Sequence, residues 1–134
     1  MKIAICGSIS FAKEMLDTRK QLEKLGHIVI TPEKITKYAD KTSAIEDKWD
    51  KIEHDVFKTY FEKIKKVDCV LIINKDKNNI KNYIGGNSLI EIAFAHVLNK
   101  KIFLLNPIPE MSYSEEIKAM TPIIIENNLN LIKW

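Results

Sequence analysis

The segment Gly85-Gly86-Asn87-Ser88-Leu89-Ile90-Glu91 sets a carboxylate just past a glycine-rich turn that opens a helix. Two readings of Glu91 follow from residue type and spacing. Ser88-x-x-Glu91 fits a capping box, in which serine and glutamate satisfy each other's backbone donors on the first helical turn. Alternatively, the carboxylate faces a glycine-lined hollow, where the dipole of a helix N-terminus keeps it ionised. An ionised, partly desolvated carboxylate can attack a sugar carbon or stabilise an oxocarbenium-like cation. A second segment, Gly7-Ser8-Ile9-Ser10, also opens a helix. Free N–H groups and the positive dipole end suit phosphate or carboxylate there. Gly7 allows close backbone approach, and Ser8 and Ser10 add hydroxyls. The same turn also reads as a plain connection with Ser10 as N-cap. It is neither Gly-x-Gly-x-x-Gly nor a Walker loop, so the NAD and ATP fingerprints are absent.

Other polar residues carry weaker signals. Asp55 follows His54, and neighbours at i and i+1 do not share a helix face, which argues against a His-Asp dyad. Asp47, Asp50 and Glu53 nearby favour a solvated acidic surface. His27 and His96 lack partners at metal-ligand spacing, so no metal is expected. Trp49 and Tyr38 have the ring surface to stack on a base, although aromatic stripes on helices usually face the core.

These residues need elements to position them. Residues 2–6 form an apolar run read as strand one. Residues 11–25 have helical spacing through Met15, Leu22 and Leu25, and stop at Gly26, a good C′ residue. Strand two is read at 27–31, closed by Pro32. Residues 33–44 are polar and lysine-rich, a loop or lid. From 45 to 67, Trp49, Ile52, Val56, Tyr60 and Ile64 recur at three and four, predicting a long amphipathic helix that contains Asp55. Strand three at 68–73 is almost wholly apolar, as expected of a strand buried on both faces. A polar loop at 74–83 leads to the glycine-rich turn and a helix at 89–98. Strand four at 101–105 precedes the rigid loop Asn106-Pro107-Ile108-Pro109. Ser114 is a plausible N-cap for a short helix at 114–120, and residues 122–125 form strand five.

The alternation predicts an α/β fold: a doubly wound five-stranded parallel sheet in order 2-1-3-4-5, a flavodoxin- or Rossmann-like three-layer sandwich. Ligands of such sheets bind at the carboxyl ends of the strands, near the switch point between strands one and three. That rule selects the loops after Cys6, Thr31, Ile73 and Leu105, and with the last of these Asn106.

Composition sets the outer limits. At 134 residues the chain is one domain, 1–134, with 46% hydrophobic and 29% charged residues. The net charge of +3 is too small to argue for a nucleic acid polymer. Arg19 is the only arginine, so a dense arginine clamp on phosphate is impossible. Cys6 and Cys69 lie inside apolar runs and read as buried thiols, reduced in a cytoplasmic protein. Strand one starts within about two residues of Met1, leaving no room for a signal peptide. No apolar run reaches the roughly 18–20 residues of a membrane span.

In order, the chain gives Ile3-Ala4-Ile5-Cys6-Gly7-Ser8-Ile9, then Asp55, then Val67-Asp68-Cys69-Val70-Leu71-Ile72, then Gly85 to Glu91 with Ile92-Ala93-Phe94-Ala95, then Asn99-Lys100-Lys101-Ile102-Phe103-Leu104-Leu105. This series resembles the nucleoside 2-deoxyribosyltransferase superfamily, which includes 2′-deoxynucleoside 5′-monophosphate N-glycosidases. The resemblance runs from Lys2 to about Pro122. It implies that Glu91 attacks or stabilises the anomeric carbon, and that Asp55 orients the sugar and supports proton transfer to the leaving base. It further implies that Gly7, Ser8 and Ile9 line the 5′ end of the nucleotide, and that Asn87 and Ser88, with Gly85 and Gly86, hold phosphate or ribose. A nucleoside or nucleotide substrate, no cofactor, and a homodimer or higher assembly belong to the same implication. Three positions depart from the pattern. Ala4 stands where transferases often carry tyrosine, Gly85 where an acid or serine is usual, and Ser10 where several monophosphate hydrolases carry arginine.

Two other readings compete. Rossmann-like ribonucleoside monophosphate phosphoribohydrolases use Pro-Gly-Gly-x-Gly-Thr-x-x-Glu, one residue longer than the segment here, which also lacks the Pro and Thr. A non-catalytic nucleotide-binding module would bind a monophosphate without cleaving it. If a 5′-phosphate is bound, the Gly7–Ser10 turn, Ser88 and Lys13 are the expected contacts. Arg19→Ala is then expected to leave monophosphate binding nearly intact while Ser8→Ala weakens it, measured by calorimetric titration. The reverse pattern would remove this account of the phosphate site.

Overall fold

The computed structural model describes residues 1–33, Ile35 and 55–134. Strands β1 (Lys2–Gly7), β2 (Ile28–Ile30), β3 (Cys69–Ile73), β4 (Lys101–Leu104) and β5 (Ile123–Ile124) form one sheet in order β2-β1-β3-β4-β5. All four pairings are parallel. The doubly wound order read from the sequence is therefore present.

The pleat sorts side chains between two cores. Ile3 and Ile5 of β1 with Cys69, Leu71 and Ile73 of β3 meet Met15 and Leu22 of helix α1 (Ala12–Lys24). Ala4 and Cys6 with Val70 and Ile72 face the other way. They pack on Tyr60 and Ile64 of α2 (Val56–Lys65), Ile92 and Ala95 of α3 (Gly86–Val97), and Ile117 of α4 (Ser114–Ala119). Period-two alternation through two apolar faces is why β1 and β3 read as continuous hydrophobic runs.

Several boundaries differ from the sequence expectation. Leu25 is the C-cap of α1 and half exposed rather than core, because Gly26 at φ +92° turns the chain away there. Ser10 does not cap α1. Ser8 caps a 3-10 turn over Ile9–Phe11, which leads into the helix. Ser114 is the first residue of α4 and not its cap. Its hydroxyl donates to the Pro109 carbonyl and accepts from the Met111 N–H, fastening the preceding loop. Of the long helix expected over 45–67, the described residues show Val56–Lys65, and Trp49 and Ile52 lie outside them. Tyr38, His54, Asp47, Asp50, Glu53 and most of the expected lid also lie outside.

An asparagine clasp joins the strand ends. Asn74 has no exposed surface. Its Nδ2 donates to the carbonyls of Asn106 (2.9 Å) and Pro107 (3.1 Å), and its Oδ1 accepts from the Asn106 N–H (2.9 Å). Asn106 Nδ2 returns a bond to the Asn74 carbonyl at 3.0 Å. Removing one side chain strands several buried groups at once, each at about 1–3 kcal/mol. Asn74→Ala should cost about 2–4 kcal/mol in urea unfolding with an unchanged m-value. A loss below about 0.5 kcal/mol would show that water replaces the clasp.

Candidate functional site

The β1–β3 pair is the switch point of the sheet, and two groups of polar side chains gather at its carboxyl end. The first surrounds Glu91. Cys6, fully buried, lies within hydrogen-bonding reach of both the Glu91 carboxylate and the Tyr60 hydroxyl. The Tyr60 hydroxyl donates to the carbonyl of Ile5. Burial pushes the Cys6 thiol well above its ordinary range, and the negative charge of Glu91 pushes it further the same way. Burial likewise raises Tyr60, with Cys6 and Glu91 adding to the effect. At neutral pH both groups therefore keep their hydrogens: the Cys6 thiol can donate toward the carboxylate, while the Tyr60 hydroxyl gives its hydrogen to the Ile5 carbonyl.

Glu91 lies in the second turn of α3. The helix starts three residues earlier than the sequence suggests, with Gly85 as N-cap and Gly86, Asn87 and Ser88 as its first turn. No acidic residue occupies that first turn and no side chain caps it, so the expected capping box is absent. The tight Gly85–Ser88 turn is in fact helix. At Gly85 a Cβ would sit 3.1 Å from the Tyr83 hydroxyl oxygen, a tight approach that a side chain there would relieve only by moving the ring a few tenths of an ångström. Gly86 meets nothing within 4 Å at that point. Ser88 is buried at 2% exposure.

The second group surrounds Ser8. Its Oγ accepts from Lys77 Nζ at 2.7 Å and lies 2.7 Å from Ser10 Oγ. Lys77 comes from the loop between β3 and α3, which the sequence reads only as polar. Asn78 and Asn79 both adopt left-handed backbone (φ +54° and +61°), and Lys77 and Ile80 exchange an antiparallel bridge around them. Two consecutive left-handed residues between bridged neighbours make a tight hairpin turn. The hairpin is tied at its base by Tyr83 N–H to the Lys75 carbonyl (2.8 Å) and Asn82 N–H to Asp76 Oδ1 (3.0 Å). The Lys77 ammonium also lies 5.3 Å from the Tyr83 ring centroid, within cation–π range.

The remaining candidates are distributed as follows. Gly7 ends β1 opposite Ile73. A Cβ there would lie 2.9 Å from the Ile73 carbonyl oxygen and 2.9 Å from the Met15 methyl, so the approach requires glycine. Ile9 packs partly on the α1-side core. Asp55 precedes α2 as its N-cap instead of lying within the helix: its φ is +43°, and its carboxylate takes the Lys58 N–H (3.2 Å) and Lys58 ammonium (3.6 Å). A short acid both tolerates left-handed backbone and supplies a capping oxygen. Asn106 is absorbed in the clasp, its Oδ1 accepting from Asn127 at 2.8 Å. Arg19 bonds Glu23 (2.9 Å) and Thr31 (3.1 Å). Lys13 is exposed on α1. A hollow of about 190 Å³ lined by Glu14, Asp17, Thr18 and Lys75 lies beside α1 and includes none of the predicted site residues.

Tyr60 and Lys77 are the site residues that sequence reasoning missed. Tyr60 fell in an apolar stripe, where the clue was its hydroxyl, which must find a partner when buried. Lys77 precedes Asn-Asn, a pair that tolerates the backbone of a hairpin turn. No group of three or more His, Cys, Asp or Glu side chains is arranged to hold a metal among the described residues, and no described helix is long and apolar enough to cross a membrane. No protein-family model matches the chain, and no curated protein matches it.

Cys6 and Cys69 are both buried and free, and burial pushes the Cys69 thiol up to about 12. A thiol reagent at pH 8 should therefore label neither in the folded protein, and both at the rate of unfolding. Fast labelling of Cys6 alone would show that the Glu91 group opens to solvent from the strand side.

Proposed function

We propose that the chain cleaves the N-glycosidic bond of a (deoxy)nucleoside 5′-monophosphate or deoxynucleoside, with Glu91 as the nucleophile. A Glu91 carboxylate oxygen bonds to C1′ as the bond from C1′ to the base nitrogen breaks. The base leaves with that electron pair and takes a proton, delivered from Asp55 directly or through water. Water then attacks C1′ as the bond to the Glu91 oxygen breaks, its released proton passing back to Asp55, so that the carboxylate returns and the sugar leaves with the new hydroxyl; another base in place of water gives transfer. Hydrolysis is the favoured branch, because the Gly7-Ser8-Ile9 turn is kept while Ala4 stands in place of the transferase tyrosine.

The observation that carries the reading is the Glu91 carboxylate beside Cys6 and Tyr60 at the carboxyl end of β1. Ligands of doubly wound sheets bind at that end, by the switch point. A neutral thiol donor beside the carboxylate restrains it without adding an opposite charge, which suits a nucleophile. The resemblance to the nucleoside 2-deoxyribosyltransferase superfamily supports the same roles. Asp55 sits at the opening of α2, and α2 packs on α3 through the Phe61–Phe94 stack, centroids 4.9 Å apart. The reading includes a cytoplasmic homodimer or higher assembly, for which the exposed Ile90 and Val97 beside that stack supply an apolar face.

Incubation with a panel of deoxynucleosides, ribonucleosides and their monophosphates, with and without an acceptor base, tests the proposal by free-base release. Glu91→Ala should lower the rate by about 10³-fold or more, and Asp55→Asn by about 10–100-fold. No base release, or a Glu91→Ala rate equal to wild type, would falsify the enzyme reading. Saturable monophosphate binding without release would mark a binding module instead.

A further inference from the structure

The two faces of the sheet are not covered alike. Helices α2, α3 and α4 pack on one, while α1 shares the other with the chain after β5, which returns as a 3-10 turn over Leu129–Leu131 and not as a helix. Between that turn and α1 lies the hollow of about 190 Å³, with Leu105 and Leu129 as its apolar lining. It opens past the ends of β3 and β4, on the opposite face from Cys6 and Glu91. Glu14, Asp17, Thr18 and Gln21 line it from one face of α1, at spacings of three and four. Thr18 is only 8% exposed, and a threonine inside a helix commonly bonds the carbonyl one turn back. Here its hydroxyl bonds no group among the described residues. No fully enclosed side-chain oxygen or nitrogen among them lacks a partner, so this hydroxyl opens on the hollow it lines. Asn127 is held from behind: its N–H donates to the Leu105 carbonyl (2.9 Å) and its Nδ2 to Asn106 Oδ1 (2.8 Å), leaving its own Oδ1 to accept. Charges of both signs line the same space, Glu14 and Asp17 from α1 and Lys75 from just past β3. None of the three is in an ion pair among the described residues. Glu14, in the first turn of α1, also answers the helix dipole, whereas Asp17 lies beyond that turn.

We propose that this hollow is a binding site for a small zwitterion, an α-amino acid with a compact aliphatic side chain. Its ammonium group meets the Glu14 and Asp17 carboxylates, with the Thr18 hydroxyl and Asn127 Oδ1 as further acceptors. Its carboxylate meets Lys75, and its side chain lies on Leu105 and Leu129. Opposite charges that line one small space without pairing are bridged by a ligand that carries both signs. A plain amine would leave Lys75 facing a like charge, and a plain carboxylic acid would face two. Volume sets the size: a cavity of about 150 Å³ takes a benzene-sized molecule, so this hollow suits valine or leucine and is too small for tryptophan. The site lies apart from Glu91 and does not depend on the glycosidase reading.

The test is a titration of the full chain with L-leucine and L-valine, following the amide signals of residues 14–21 and 127–129. Isoamylamine and 4-methylpentanoate, the leucine skeleton with one charge each, are the charge controls, and L-tryptophan is the size control. Leucine or valine should shift these signals saturably, with each one-charge control about 5–30-fold weaker than leucine and tryptophan without effect. Lys75→Met should weaken leucine about 3–10-fold and leave isoamylamine unchanged or tighter, so that the preference for the zwitterion falls. Asp17→Asn should weaken leucine and isoamylamine alike, by about 3–10-fold, and spare 4-methylpentanoate. Thr18→Val keeps the shape of the side chain and should weaken leucine about 3–10-fold through the hydroxyl alone. Asp17 is exposed, so Asp17→Asn decides the matter if Thr18→Val fails to fold. Three results would overturn the proposal: no saturable shift with leucine or valine, a one-charge control that binds as tightly as leucine, or equal affinity in all folded variants. Base release from any nucleoside, or its absence, bears on none of these outcomes.

Discussion

The pairing of β1 with β3 is the constraint on which the rest of the structure depends. Five residues run in register, from Ile3 opposite Cys69 to Gly7 opposite Ile73. Because the strands are parallel and central, their exit loops leave at the same end. The chain then diverges, through α1 toward β2 on one side and through the hairpin and α3 toward β4 on the other. This divergence opens the crevice that doubly wound sheets use. Both polar groups, Glu91 with Cys6 and Tyr60, and Lys77 with Ser8 and Ser10, exist only because β1 and β3 end level. The missing Cβ of Gly7 permits it, since any side chain there would meet the backbone oxygen of Ile73.

The pairing also divides labour between the two faces. Successive residues of β1 serve opposite cores, so Ile5 supports α1 while Cys6 looks toward α3. Cys6 is thus a core residue by burial and a site residue by contact. A larger apolar side chain would fill its place but could not donate to the carboxylate, and a serine would donate but pack less well. The Tyr60 hydroxyl, bonded to the Ile5 carbonyl, ties α2 to the same point of the strand.

Sheet order, strand positions and the four helices of the described residues were legible in the sequence because each rests on a local pattern: apolar runs of strand length, helical spacing, and Gly26 as a stop. Helix starts were less legible. At α3, Ser88 and Glu91 carry the composition of a capping box, yet helix begins at Gly86 with Gly85 as its cap, which places Ser88 inside the first turn where the serine–glutamate spacing no longer marks the start. At α2, Asp55 looked like one more helical acid and instead supplies the cap. Glu91, Ser8 and Ser10 were legible as polar residues beside glycine turns. Lys77 was not, because its value comes from a hairpin that folds back over β1 from 69 residues further along the chain. Asn106 was legible as lying at a strand end, while its engagement with Asn74 and Asn127 is tertiary.

The outer strand β5 is only two residues long, Ile123 and Ile124, and both side chains are partly exposed. A strand from another molecule seeking this edge would find few unpaired backbone groups to hold, and the left-handed residues Thr121, Glu126 and Asn127 bend the chain on either side. Short and bent edges of this kind resist growth of a sheet from one molecule into the next. Isoleucines that look adhesive in the sequence are thus made poor templates for aggregation by the brevity of the strand that carries them.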